Sequence, residues 1–403
     1  MVSAPLLSAA SSAAGRSRST TQVAIVSVMP RIRRLLLGAV ALVFIAALCG
    51  YGFWTQQRPP GHYLSDLRIE LALDQGVPGE RGNLLGIEPV LHPVDYQNLQ
   101  RLHRKLAAYL DKAKALGLVN ARTVVVLPEH IGTWLWARGE KNELYQVTRR
   151  REAWQWLEIS NPLRYGLALL AATGDDRRSD AHLRMKAGQM AADYQALFGG
   201  LAREFGVTLV AGSIVLPSPR VEHGVLQAGN GPLFNSSVVF ASDGSAMGQP
   251  QRQHYPDSEV RRYIQAGQDQ PLQVLQTPAG RLGVLVGSDS WYPANYRQLA
   301  SQAVELIANP VFLSGRDSWG SPWRGNRHQP LSARLPLRQG QVNEEQAWRQ
   351  LTQAANGDVT SISVFLRGQF WDLGSDGQGF VNHDGRHLAG DSHAGARLLN
   401  LWL

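Results

Sequence analysis

Among the 403 residues, one carboxylate is set apart by its position: Glu129 closes the run Val124-Val125-Val126-Leu127-Pro128, an apolar, β-branched segment that stops at a proline. A carboxyl group at the end of a strand sits at the rim of a sheet, where it can meet a small molecule and move a proton. The bland alternative is a solvated cap at the start of a helix. A thiol partner is harder to find. The single cysteine, Cys49, lies inside an uncharged apolar run near the N-terminus, so the rest of the chain offers neither a disulfide nor a cysteine for covalent chemistry. Ligand-type residues gather near the C-terminus as His383, Asp384, His387, Asp391 and His393, which invites a metal hypothesis. Residues 382–386, Asn-His-Asp-Gly-Arg, read instead as a turn between two strands, and no metal or other cofactor is expected.

The elements that would hold Glu129 alternate regularly. An apolar run at 84–91 precedes a helical period over 96–116, with Leu99, Leu102, Leu106, Leu110 and Ala113 on one face. The strand 121–128 follows. Further on, the pattern predicts a helix over 180–205, strands at 207–215 and 234–240, a strand at 282–286, a helix over 294–303 and a strand at 304–308. A helix over 344–355 and strands at 360–366, 377–381 and 397–402 complete it. Such alternation implies α/β packing, and the β-rich last third implies some antiparallel members. Between Glu129 and the 180–205 helix, Trp134, Trp136, Trp154 and Trp156 flank Arg149, Arg150 and Arg151. Two readings fit: a surface at a membrane interface, or a helical insert packed over a pocket.

The formal charge of +8 is misleading as a guide to partners. Arg16, Arg18, Arg31, Arg33 and Arg34 supply +5 before residue 55, which leaves +3 for everything beyond it. A residual +3 over the folded part is too little for the basic face that a nucleic-acid partner would require, so none is expected. Leu35 to Trp54 is an uncharged run of 20 residues, long enough for one transmembrane helix. The arginines before it favour a cytoplasmic N-terminus and place the remainder on the periplasmic or extracellular side. A cleaved signal peptide is the rival, but no clean small-x-small cleavage site follows Ala47. Residues 1–34 read as a disordered or basic segment, with Met29 as an alternative start, 35–54 as the span, 55–82 as a tether with a short strand at 67–73, and 83–403 as one domain. The expected partners are the membrane and an unknown small molecule or protein, with self-association into a homo-oligomer as a further option.

Five segments, in order, resemble the nitrilase or carbon-nitrogen hydrolase superfamily. They are Gly86–Val90, Val124–His130, Phe205–Pro217, Phe234–Glu259 and Leu282–Pro310. The resemblance implies a four-layer α-β-β-α sandwich over about 83–403, here preceded by one transmembrane helix. It also implies a site in which a cysteine attacks an amide or nitrile carbon, a glutamate moves the proton and a lysine stabilises the developing negative charge.

Mapped onto this sequence, the glutamate is Glu129. Counting from Asp243-Gly244 to His254 puts Arg252 at the lysine position, with Gln253 one residue on, and aligning Val284-Leu285-Val286 and Asp289 puts Gly287 where the cysteine belongs. Glycine has no nucleophile. Ser288 is the nearest substitute, although a shift of one residue redirects a side chain. Glu259 falls where the family often carries a second glutamate. The expected function is therefore a membrane-tethered, noncatalytic module that binds a ligand or partner; the alternative is a residual amidase, nitrilase or N-acyltransferase-type hydrolase using Glu129 and Ser288.

Overall fold

The computed structural model describes residues 21–403 other than 60, 62, 259, 326–330 and 332–336, with side chains of the first helix described from residue 32. Two units are distinct, Met1–Gln57 and Arg58–Leu403. In the first, helix α1 (Thr21–Gln56) carries an apolar stretch over Ile32–Gln56 of 25 residues, none of them buried. Leu35, Leu42 and Phe53 are among the exposed residues, and Cys49 lies in the same stretch.

The second unit is built on two sheets. The eight-stranded sheet runs Ile69–Gln75, Ala396–Trp402, Asn83–Glu88, Thr123–Val126, Thr208–Val210, Leu233–Phe240 and Ala246–Arg252, with Ile214–Pro217 also paired to Leu233–Phe240. The six-stranded sheet runs Val274–Thr277, Gly280–Val284, Leu306–Val311, Thr360–Phe365, Phe380–His383 and Arg386–Ala389. Leu84, Val124, Val126, Val210 and Val239 from the first interdigitate with Leu282, Val284, Leu306, Ala308, Ile362 and Val364 from the second. Alternation along each strand then turns the opposite side chains outward. Those of the first sheet meet α2 (Leu99–Ala115), whose stripe Leu102, Leu106, Tyr109, Leu110 and Ala113 is buried. Those of the second meet helices Pro293–Ala300 and Glu344–Asn356. The result is the expected α-β-β-α sandwich.

Capping side chains and tight turns close the ends of the elements. The Asn98 side chain accepts from the backbone N–H of Gln100 at 2.8 Å to start α2. Asn343 and Gln346 form a reciprocal capping box for the helix at Glu344. Asp384 and Gly385, both at positive φ, make the turn between strands Phe380–His383 and Arg386–Ala389. The histidines there are spread among separate partners: His383 to Thr360 at 2.9 Å, His387 to Asn382 at 3.1 Å, and His393 to Glu70 at 2.7 Å.

Two expectations need correction. The short strand expected at 67–73 is present as Ile69–Gln75, but it belongs to the domain and not to a tether, since it pairs in parallel with the last strand, Ile69 opposite Ala396. The helix expected over 180–205 is broken into Arg177–Arg184, Ala187–Tyr194 and Gly200–Phe205, with a wide turn at Gln195–Gly199. At the first break Lys186 turns inward to the buried Glu140, 2.5 Å away. At the second, Gln195 donates to the Gly244 carbonyl at 3.2 Å, where a Cβ on Gly199 would lie 2.6 Å from that oxygen. Short helices α3 (Asn142–Gln146), α4 (Arg150–Ser160), α5 (Pro162–Ala171) and α6 (Arg177–Arg184) form the insert after Glu129.

Candidate functional site

Glu129 follows strand Thr123–Val126 and Gly287 follows strand Gly280–Val284, so the two sheets bring their carboxyl ends to one point. Local backbone fixes the glutamate. Leu127 N–H still donates to Val210 O at 2.9 Å, His130 N–H donates to Ser213 Oγ at 2.8 Å, and His130 takes a positive φ of 61°. Gly212 is needed beside this turn, since a Cβ there would overlap the Pro128 carbonyl.

The carboxylate is 5% exposed and held on three sides. Asn235 Nδ2 donates to Oε1 at 2.8 Å, Gln253 Nε2 donates to Oε1 at 3.3 Å, and Phe312 N–H donates to Oε2 at 2.9 Å. Burial pushes its pKa up to about 8, aided by the negative charges of Asp257 and Asp289, while the Phe312 and Asn235 hydrogen bonds pull the other way. Burial thus favours the protonated form of Glu129. His130 Nε2 lies 3.9 Å from Oε1, but burial and Arg150 depress that imidazole to about 4, so no ion pair forms.

Gly287 stands directly against this group. It has φ +55°, and a Cβ built on it would lie 2.8 and 2.9 Å from the two Glu129 oxygens and 3.0 Å from Gln253 Nε2. The turn after Gly287 is held by Asp289, which accepts from the backbone N–H of His254 at 2.9 Å and of Tyr255 at 2.7 Å. Those bonds lock the segment after strand Ala246–Arg252 against the turn that bears Gly287. Burial raises Asp289 to about 7, so its role is positional: it receives backbone N–H groups.

Arg252 is displaced from the expected place. Its guanidinium lies 3.9 Å above the Phe234 ring and reaches the exposed Asp269 at 3.1 Å, whereas the next residue, Gln253, points at Glu129. Successive residues in extended backbone face opposite ways, and the strand end falls between these two. Gln253 is also tied to Val286 O at 3.1 Å and to Asn235 at 3.1 Å. The Ser288 Oγ donates to Tyr255 O at 2.6 Å and makes no hydrogen bond to Glu129 or Arg252 among the described contacts. Glu259 lies outside the described residues. Sequence reading missed Asn235 as a partner of Glu129, although it stands in the quoted segment Phe234–Glu259, and it missed Phe312, whose contribution is a backbone N–H without any side-chain signal.

Around this floor is a cavity of about 570 Å³. Trp134, Trp136, Trp154, Trp291, Trp348 and Phe312 supply its aromatic lining. Trp134 stacks on Phe370 with ring centres 4.7 Å apart, and Trp136 stacks on Trp371 at 5.0 Å. The buried indole N–H groups of Trp134 and Trp291 meet no acceptor among the described residues. Arg150, Arg262 and Arg324 are offset in the lining by Asp176, Asp257 and Glu344. Trp134, Trp136 and Trp154 thus cover the pocket, which is one of the two readings the sequence allowed.

A family model for carbon-nitrogen hydrolases matches residues 91–335, more than half of the chain. The chain belongs to the carbon-nitrogen hydrolase family. Relatives of this hydrolase-family chain include the N-carbamoylputrescine amidase of Solanum lycopersicum, 28% identical over 138 residues, which are 31% of this chain and 42% of that one. The deaminated glutathione amidase of Yersinia enterocolitica is 29% identical over 132 residues, 30% of this chain and 42% of its own. The chain therefore matches less than half the length of these curated relatives. Among solved structures, an amidase from Nesterenkonia sp. has a TM-score of 0.47 at 17% identity, covering 81% of this chain and 92% of its own. A carbon-nitrogen hydrolase from Helicobacter pylori G27 has a TM-score of 0.48 at 20% identity, covering 77% and 85%.

Proposed function

We propose that this carbon-nitrogen hydrolase-family chain is a membrane-tethered binding module that keeps the family's pocket without its chemistry. The observation that carries the reading is the pairing of Gly287 and Gln253 against Glu129: among the described residues, neither a nucleophilic side chain nor a charged cation adjoins the acid. Covalent attack needs the first and charge development on substrate oxygen needs the second. Loss of a nucleophile alone costs a well-studied hydrolase on the order of 10⁶-fold in turnover. A serine route is disfavoured because the Ser288 hydroxyl is committed to Tyr255 O.

The ligand is a small uncharged molecule bearing an amide or similar carbonyl. A protonated Glu129 donates to its oxygen, and aromatic walls take its apolar part. Three arginines against three acids leave the lining without a net charge to select an ion. The amidase names of the relatives agree with this class of compound.

Two measurements test the reading. Purified full-length chain is titrated calorimetrically with propionamide and with N-ethylurea, both uncharged. Binding is expected, lost in Glu129→Ala and weakened above about pH 8, where the carboxyl ionises. Ammonia release from either compound that disappears in Glu129→Ala would overturn the noncatalytic reading. For the tether, α1 is proposed to cross the membrane once, with Arg31, Arg33 and Arg34 on the cytoplasmic side and residues 58–403 on the other. Resistance to alkaline carbonate extraction and protease access from the outer face check that placement.

A further inference from the structure

Helix α5 is apolar on both faces. Inside, Ala168 and Ala172 pack on Ala181, with Tyr165, Leu169 and Met185 beside them. Outside, Leu163, Leu167 and Leu170 are 82%, 69% and 79% exposed, and Ile159 at the end of α4 is 47% exposed. These residues recur at intervals of four and three, so they form one stripe along the helix. An isolated exposed leucine needs no explanation, but a contiguous stripe does. A helix apolar all round belongs in a core or against lipid.

Charge and connectivity say which. Arg164 is on α5, and Arg177 donates to Leu169 O at 2.6 Å beside its last turn. Over residues 149–178 six arginines (149, 150, 151, 164, 177 and 178) stand against four acids (Glu152, Glu158, Asp175 and Asp176), an excess of two positive charges. That balance favours an anionic surface. The chain also arrives here from the apolar helix. Arg58 pairs with the buried Glu140 at 2.9 Å and donates to Ser160 O at 3.1 Å and Asn161 Oδ1 at 2.9 Å, the two residues at the junction of α4 and α5. Only two residue steps, at most about 7 Å of chain, separate Arg58 from Gln56, where α1 ends.

We propose that the Leu163–Leu167–Leu170 stripe lies in the headgroup and acyl boundary of the same membrane that α1 crosses, so that the domain is held to the bilayer by its own surface as well as by the chain. The inference rests on the membrane-span reading. Each leucine moved from water into the boundary favours the docked state by roughly tenfold.

The test uses the full chain with Cys49→Ser, reconstituted into phosphatidylcholine–phosphatidylglycerol vesicles. An environment-sensitive fluorophore is placed at Leu167→Cys and, for reference, at Val225→Cys, a site 46% exposed on another strand. Docking predicts a blue-shifted Leu167 probe that resists aqueous iodide and is quenched by lipid-borne nitroxides, and a Val225 probe that behaves as in water. Adding Leu163→Glu and Leu170→Glu returns the Leu167 probe to the water value while carbonate resistance persists. A Leu167 probe as wet as that at Val225, in a chain that still resists carbonate, overturns docking alone. Extraction of the chain by carbonate overturns the span reading and docking with it. A blue shift present in crowded vesicles and absent from nanodiscs holding one copy assigns the stripe to a second copy of this chain and also overturns the proposal.

Discussion

The insert after Glu129 has two faces made of the same kind of residue in opposite surroundings. On the inner face Trp134 and Trp136 stack on Phe370 and Trp371 and are 5% and 1% exposed. On the outer face Leu163, Leu167 and Leu170 are 82%, 69% and 79% exposed. The tryptophans are accounted for by folding, since removing large apolar area from water is its main favourable term. The leucines gain nothing from it. A residue whose apolar character is not used for stability is available for an environment outside the domain, and that contrast separates the cavity wall from the proposed lipid-facing stripe.

Mutations can break or sharpen this contrast. Trp134→Ala should be the most damaging, by about 3–5 kcal/mol in urea unfolding, because it opens a cavity beside Phe370 and Phe312. If it is nearly neutral, the inner face is no core. A pH effect follows from Glu129, which binds its proton up to about pH 8 when folded but ionises near 4.5 when unfolded. The unfolded chain therefore holds fewer protons between those values, so this group makes stability fall as pH rises through that window and level off above it. The total is on the order of a few kcal/mol, and Glu129→Gln should remove it. Unfolding at about pH 5 and about pH 9 compares the two proteins.

Gly287→Cys should destabilise by about 1–3 kcal/mol, because the new Cβ meets Glu129 and a non-glycine residue resists this φ. It should restore no ammonia release while Gln253 supplies no cation. Arg252→Ala should cost about 1 kcal/mol or less and leave amide binding unchanged, since its partners are Phe234 and the exposed Asp269. An effect on binding comparable to Glu129→Ala would return Arg252 to the site. Smallest of all, Leu167→Ala should shift stability by no more than about 0.5 kcal/mol, in contrast to Trp134→Ala.

Much of this was legible in the residues. The apolar β-branched run ending in Pro128-Glu129 placed the acid at a strand end, and the order of the five motif segments implied the sandwich. The uncharged run at 35–54 marked the apolar helix, and the 382–386 turn was read correctly from Asp-Gly. The strand Ile69–Gln75 was taken for part of a tether because its pairing partner is more than 300 residues away, at Ala396. The choice between Arg252 and Gln253 depends on the direction of one residue at the end of a strand, and counting along the chain cannot resolve it. The leucine stripe of α5 was missed for a different reason: apolar periodicity predicts an amphipathic helix but does not say which of two apolar faces the domain will cover.

The sequence by itself determined the residue types around the acid: a glycine at 287, no thiol in the domain, and an apolar run near the N-terminus. Those depend only on identity and order. The tertiary structure decided what stands next to Glu129 and what is left uncovered, because both depend on segments distant in the chain being brought within hydrogen-bond or van der Waals reach. Asn235, Gln253, Gly287 and Phe312 become neighbours of one carboxyl only when two sheets pack face to face. Leu163, Leu167 and Leu170 become an exposed stripe only when the opposite face of α5 has been buried.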